Sequence, residues 1–340
     1  MEGGAMRGMF TCGVIDVMQE AGITFDGAIG VSAGAVLGCN YKSEQIGRAY
    51  RYTRQYCKDY RYGSMKSFRK TGNAYDVDFC YHEIPEKLDV FDKEAFKANP
   101  MIFYAVATDV VTGKAVYHKC SDGEREDIEW LRASASMPLV SKVVNINGHN
   151  LLDGGIGDSI PLKFMEEQGF DRNVVILTQP LHYVKQKNKF MPIAKIFLHK
   201  YPNMIKSMGD RHFRYNDTIS YIESREKEGK VLVIRPPEAL NIGSMETRTE
   251  EIDRVYMIGR ETGLGYVELI KDFLKKDNVI VTSVANPSAR RYLKLPHVCD
   301  LTTYGNNIVA TISEEYRDIV EKYISKYAVE HCFETPNMHV

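Results

Sequence analysis

The stretch Ala28-Ile29-Gly30-Val31-Ser32-Ala33-Gly34-Ala35 constrains the fold more than any other part of the chain. An apolar run enters a G-x-S-x-G turn and leaves as a small-residue helix, the sequence form of a nucleophile elbow. Gly30 and Gly34 leave room for a strained turn and for the helix to pack close to the strand. The helix N-terminus behind Ser32 directs backbone N–H groups and positive dipole toward any anion forming beside the hydroxyl. The pattern also arises by chance, so its neighbours decide how it is read.

Gly3-Gly4-Ala5-Met6-Arg7-Gly8 is a glycine-rich turn followed by an apolar helical stretch from Met9 to Ala21, with Gly22 suited to the C-cap. Phe25 to Val31 reads as the strand feeding the elbow. With Ser32 close behind, Gly3, Gly4 and Ala5 read as a loop offering bare N–H groups to a developing oxyanion. A degenerate dinucleotide loop is the competing view, but its third fixed position is Ala5 and no ribose-binding acid stands at the right distance. Leu151-Leu152-Asp153-Gly154-Gly155 ends a further apolar strand on a carboxylate and two glycines. Ala133 to Pro138 precedes it, and Asp158-Ser159-Ile160-Pro161 follows.

Taken together, the blocks Gly3–Gly8, Gly30–Gly34, Ala133–Pro138 and Asp153–Gly155 resemble, in kind and order, the bacterial patatin-like phospholipases. The blocks span residues 1 to about 161, and a similar texture continues to about 265. The resemblance implies a three-layer α/β/α fold with a mainly parallel central sheet, and a Ser–Asp dyad without a catalytic histidine. By that carry-over Ser32 is the nucleophile, Asp153 its base, and Gly3, Gly4 and Ala5 the oxyanion hole. Arg7, Gly8, Gly30, Gly34, Gly154 and Gly155 support the motifs, and neither metal nor organic cofactor is implied.

The chemistry agrees with this assignment. A serine hydroxyl needs a base as it attacks, and a carboxylate serves as one only where poor hydration raises its pKa. Ala5 stands where the family commonly has glycine; a positive φ there would cost about 1 kcal/mol. Arg7 is open to two readings, an anionic head-group contact or a surface salt bridge. A conventional triad hydrolase is the nearest competitor, but Ser32 lies too near the N-terminus and no histidine stands in a catalytic motif.

Only Met1 and Glu2 precede Gly3, where the family has a central parallel strand. The expectation is therefore a damaged or mobile loop over residues 1–8 and weak activity, with the natural chain starting upstream or the first strand vestigial.

Two segments stand out by charge. Residues 41–75 interleave nine Lys or Arg with seven tyrosines against Glu44 and Asp59 alone. They read as a solvated helix face over half-buried tyrosines, or as a contact for anionic lipid head groups. Residues 185–214 carry eight Lys or Arg against Asp210, and Ile193, Ile196 and Phe197 have amphipathic helical spacing. A lid or interfacial segment and a helix packed on the sheet are both open there. Net charge is −1 and no nucleic-acid motif accompanies either patch, so nucleic acid is not an expected partner.

The chain has no apolar run long enough to span a bilayer, no signal-peptide pattern, and seven cysteines without a C-x-x-C pair. The expected setting is cytoplasmic, with peripheral contact at the inner membrane face. Residues 1–270 read as the hydrolase domain and 271–340 as an extension of no assigned role, with strands at 279–284 and 308–312 and a helix capped by Ser313. The expected function is lipid acyl ester hydrolysis through a Ser32 acyl-enzyme. The alternatives are a carboxylesterase or thioesterase for small esters, and a silent lipid-binding module.

Overall fold

Ile102-Phe103-Tyr104-Ala105-Val106-Ala107 alternates in size, and the alternation sorts the core into two faces. Tyr104 and Val106 pack with Ile29, Val31 and Met165 on one side, whereas Ala107 packs with Trp130, Ala133 and Leu151 on the other. A strand buried on both faces sits inside a layered α/β fold. In the computed structural model, which describes residues 1–275, 279–282, 299–304, 307–312 and 316–326, that arrangement is a three-layer α/β/α architecture.

The first unit, Met1–Phe273, holds β1 (Gly27–Val31), β2 (Ile102–Asp109), β3 (Ala115–Cys120), β4 (Val144–Ile146), β5 (His149–Asp153), β6 (Asn173–Ile176) and β7 (Val231–Ile234). β1 pairs parallel with β2, and β6 parallel with β7. β3 and β5 pair antiparallel with β2, and β4 closes a hairpin with β5. The parallel middle carries the elbow and the antiparallel strands carry Asp153.

Met1 and Glu2 join the two groups of strands. The Met1 nitrogen donates to Ile29 O at 2.9 Å and Met1 O accepts from Val31 N, the spacing of a parallel neighbour. Glu2 N donates to Ile176 O at 3.0 Å. These two residues thus occupy the place of the central strand between β1 and β6. This corrects the expectation of a damaged loop: strand pairing on both sides, through Met1 to β1 and Glu2 to β6, supports the chain just before Gly3.

On the elbow face, helix Gly8–Glu20 packs on helix Ala33–Lys42 and is crossed by the 26-residue helix Thr249–Leu274. The crossing needs two glycines. A Cβ on Gly13 would lie 2.2 Å from Tyr256 O, and one on Gly259 would lie 2.1 Å from Phe10 O. Tyr256 adds a buried hydrogen bond to Asp16 at 2.8 Å.

The second unit, Leu274–Val340, contains β8 (Val279–Thr282), β9 (Cys299–Tyr304) and β10 (Asn307–Ile312). β10 lies between the other two, parallel to β8 and antiparallel to β9. Helix Arg317–Lys326 buries Val320 and Ile324 against Ala310 and Ile312. The expected cap at Ser313 lies outside the described residues.

Candidate active site

Ser32 and Asp153 meet because two strands share one edge of β2. β1 pairs as far as Val31 with Val106, and β5 takes over at the next residue, where Asp153 faces Ala107. β3 occupies the opposite edge over the same residues. The residue following β1 is therefore delivered beside the residue ending β5. Ser32 Oγ donates to Asp153 Oδ2 at 2.6 Å, across 121 residues of sequence.

Ser32 has φ 55° and ψ −123°, a conformation rarely adopted by L-residues. Such strain costs about 1–3 kcal/mol and persists only where the surroundings over-determine it. Gly30 and Gly34 belong to those surroundings: a Cβ at 30 would lie 2.3 Å from Gly34 O, and one at 34 would lie 2.5 Å from Met1 O. On the Asp153 side, Gly154 presses onto β2, its absent Cβ 2.0 Å from Val106 O.

The residues 133–138 hold both members of the pair. Ser134 Oγ, fully buried, accepts from Ser32 N at 2.8 Å. Ser136 O accepts from Asp153 N at 2.8 Å, and Thr108 Oγ1 donates to Asp153 O at 2.7 Å. The sequence reading named the block Ala133–Pro138 without assigning Ser134 a role, and it did not name Thr108.

Asp153 is buried, and burial pushes its carboxyl pKa above the usual value. The nearby charge of Arg211, the Ser32 hydroxyl and the Gly155 N–H, which donates to Oδ1 at 2.8 Å, pull the other way. A carboxylate in this setting is a stronger base than one in water.

The glycine loop lies against the same pair. A Cβ on Gly3 would lie 2.8 Å from Ser32 Cβ, and one on Gly4 2.7 Å from Thr178 Oγ1. Ala5 has φ 50°, so the positive φ anticipated for this position is present. Gly8 starts the first helix against Leu37. Among the described residues the N–H groups of Gly4 and Ala5 appear in no hydrogen bond. Glu2 anchors the loop from behind, accepting from Thr178 N at 2.6 Å and Tyr215 Oη at 2.9 Å.

Two cavities meet at Ser32. One, of about 110 Å³, is apolar and runs past Met9, Leu37, Tyr52, Tyr62, Tyr81 and Leu131. That is several times the roughly 10–15 Å³ one water requires. The other, of about 280 Å³, is lined by Asp153 and by Arg7, Lys185 and Arg211. Ala5 and Ser32 line both, and among the described residues no histidine lines either.

The buried tyrosines of this segment thus form an inner wall, while Arg51, Arg54, Lys58, Lys66, Arg69 and Lys70 stay exposed on its outer side. Tyr41, Tyr52 and Tyr62 are buried, and Lys42 and Arg48 are buried with them. Lys42 donates to the carbonyls of Asn99 and Met101. Arg48 and Arg51 pair with Asp89, Arg54 with Asp253, and Arg61 with Asp59 and Glu83. Charge counting within 41–75 missed Asp89, Glu83 and Asp253. In the second basic segment, Met191–Phe197 is a short helix with Ile196 and Phe197 some 70 % exposed, while Arg7 has a buried Nε without a partner.

Away from this site, His118, Cys120 and Asp127 bring potential metal-ligand atoms within 4.8 Å of one another. Asp127 Oδ2 accepts the N–H groups of Ser121, Asp122 and Gly123, and Oδ1 bonds His118 Nε2 at 2.8 Å. The carboxylate holds the turn after β3. No described helix is long and apolar enough to cross a membrane.

Among known proteins, residues 1–165 match the family model of patatin-like phospholipases, and residues 201–275 match a domain of unknown function (DUF6363). The chain is 26 % identical over 290 residues to the uncharacterized protein YjjU of Escherichia coli, covering 80 % of this chain and 77 % of that one. It is 22 % identical over 290 residues to the lysophospholipase NTE1 of Candida glabrata, covering 79 % of this chain and 16 % of that one. It is 26 % identical over 289 residues to the lysophospholipase nte1 of Aspergillus niger, covering 79 % and 18 %. The chain therefore spans less than a fifth of these two lysophospholipases. A crystal structure of VipD from Legionella pneumophila aligns with TM-score 0.39 and 12 % identity, covering 79 % of this chain and 66 % of that one. Residues 1–165, which carry the glycine loop, Ser32 and Asp153, are a patatin-like phospholipase domain.

Proposed function

We propose that this chain is a serine lipid acyl hydrolase that cleaves carboxylic esters through an acyl-enzyme on Ser32, with Asp153 as its base. The observation that carries the reading is the 2.6 Å contact from Ser32 Oγ to Asp153 Oδ2 at the junction of an apolar and a polar cavity. As Oγ attacks the ester carbonyl, its proton passes to Asp153, and the carbonyl oxygen takes the electron pair. The N–H groups of Gly4 and Ala5, which appear in no hydrogen bond among the described residues, are the proposed donors to that oxygen, a contribution worth about 2.7–4 kcal/mol per donor in comparable sites. Collapse expels the alcohol, which takes the proton from Asp153. Water then repeats the sequence, losing its proton to Asp153 and releasing the acid.

The lysophospholipase names of the fungal relatives support a lipid ester as substrate, and the tyrosine-lined cavity suits its acyl chain. Hydrolysis of p-nitrophenyl esters across acyl lengths tests the reading, with a fluorophosphonate to label Ser32. Ser32→Ala should abolish both signals, and Asp153→Asn should lower turnover about 10²–10⁴-fold. A labelled, fully active Asp153→Asn variant would refute the dyad.

The exposed ridge of Phe190, Ile193, Ile196 and Phe197 supports contact with a lipid surface at the mouth of the polar cavity, which Phe190 lines. Ile196→Asp with Phe197→Asp should then reduce sedimentation with anionic liposomes several-fold. Unchanged sedimentation removes the ridge from the reading.

A further inference from the structure

The polar cavity beside Ser32 carries more positive charge than its own acids absorb. Glu2 is committed to Thr178 and Tyr215, and Asp153 to Ser32 and Gly155. Three cations line the same space: Arg7, Lys185 and Arg211. Arg7 Nε is buried with no partner. Arg211 Nε reaches Ser159 Oγ at 3.3 Å, a long contact for a guanidinium. Lys185 Nζ lies over the Tyr215 ring at 4.6 Å. Burial first, and then Arg211 and Arg7, press the Lys185 ammonium down to about 8, with Glu2 and Asp153 opposing them. Three cations thus face two carboxylates that are hydrogen-bonded elsewhere, and the excess positive charge is costly unless a ligand supplies the anion.

We propose that Lys185 and Arg211, with Arg7, form a subsite for the phosphate of a phosphate-bearing acyl ester, seated so that its acyl chain enters the tyrosine-lined cavity on the far side of Ser32. The inference rests on the hydrolase reading of Ser32 and adds what distinguishes one ester from another. A guanidinium presents paired donors matched to phosphate oxygens, and an ammonium adds a point charge. Lys185 and Arg211 lie beyond residues 1–165, so the patatin match does not supply them. The sequence reading saw the same two residues only as members of a basic run.

The test compares two esters of identical acyl chain, a 1-acylglycerol 3-phosphate and the corresponding 1-acylglycerol, below their aggregation concentrations. The intact chain should prefer the phosphate-bearing ester by at least about tenfold in kcat/KM. Lys185→Gln with Arg211→Gln should erase at least about tenfold of that preference, through KM rather than kcat, as expected for charge-assisted hydrogen bonds. Arg211→Lys, keeping the charge without the paired donors, should fall between. A calorimetric titration of the phosphate-bearing ester into Ser32→Ala, with and without the two Gln substitutions, reads the subsite without turnover. The dissociation constant should weaken at least about tenfold.

Equal preference for both esters, or equal binding with and without Lys185 and Arg211, overturns the subsite while leaving the hydrolase reading intact. Failure of a fluorophosphonate to label Ser32 overturns the hydrolase reading, and the titration still decides the subsite. Inorganic phosphate or glycerol 3-phosphate binding as tightly as the acylated ester would make this a free-phosphate site, overturning the lipid assignment.

Discussion

Ser134→Ala tests whether the strained elbow is held by a neighbour or only by its own chain. Ser134 is fully buried and its Oγ takes the Ser32 N–H at 2.8 Å. Removing that acceptor leaves a buried donor unpaired, at a cost of about 1–3 kcal/mol. The conformation it restrains, φ 55° and ψ −123° at Ser32, itself stores about 1–3 kcal/mol. The chain can recover part of the first cost by relaxing the second, and relaxation moves Oγ away from Asp153. Global stability should therefore drop by about 1–2 kcal/mol, read as a lower urea midpoint at constant m-value. The fluorophosphonate labelling rate should fall by about tenfold or more, since small misplacements of a nucleophile are costly. Ser136→Ala is the control, because Ser136 reaches Asp153 through its backbone carbonyl, and it should cost far less of the labelling rate. If Ser134→Ala loses stability but labels at the parent rate, Ser134 supports packing and does not position the nucleophile. If it changes neither, the hydrogen bond is immaterial to the elbow.

Ala5→Gly should stabilise the chain by up to about 1 kcal/mol, because relief of the positive φ at Ala5 exceeds the added freedom of glycine in the unfolded chain; a lower urea midpoint would refute that balance. The Asp153 carboxyl is raised by burial, so it gains its proton at a higher pH in the folded chain than in the unfolded one. Hydrolysis should fall as pH drops through that raised folded value, and its acid limb should lie above the pH of an ordinary aspartate. Stability runs the other way: between the ordinary and the raised value the folded state binds the extra proton, so this residue's contribution improves as pH falls. Asp153→Asn should accordingly be more stable than the parent near neutral pH, and its advantage should shrink toward about pH 4 in thermal melts. An advantage that grew on acidification would contradict the sign.

What could be read from residues alone was local. Gly30, Ser32 and Gly34 announce their turn because strand, turn and helix lie within eight residues. Asp153 was accessible only through its block's likeness to a family, since the register that sets it opposite Ala107 is a pairing across 46 residues. The segment 41–75 matches the reading of a solvated face over buried tyrosines, but its charge count left out the partners Asp89 and Asp253, which lie outside it in sequence. Met1 and Glu2 were too few to register as a strand, yet two residues suffice when β1 and β6 supply partners on both sides.

The same contrast separates the reaction from its selectivity. The proposed nucleophile and N–H donors sit in turns whose residue types announce them, whereas the proposed base, Asp153, was legible only by likeness. The cationic wall is assembled from a loop residue, Lys185, and a residue within the long helix Pro202–Lys227, Arg211, against Arg7 from the opposite end of the unit. Lys185 and Arg211 have no neighbour in sequence that reveals such a role, whereas Arg7 lies in the glycine-loop block. A change at Lys185 or Arg211 can therefore redirect the enzyme toward another ester without touching residues 1–165. A variant selected for a neutral ester should accordingly alter Lys185 or Arg211 before it alters the loop, the elbow or Asp153.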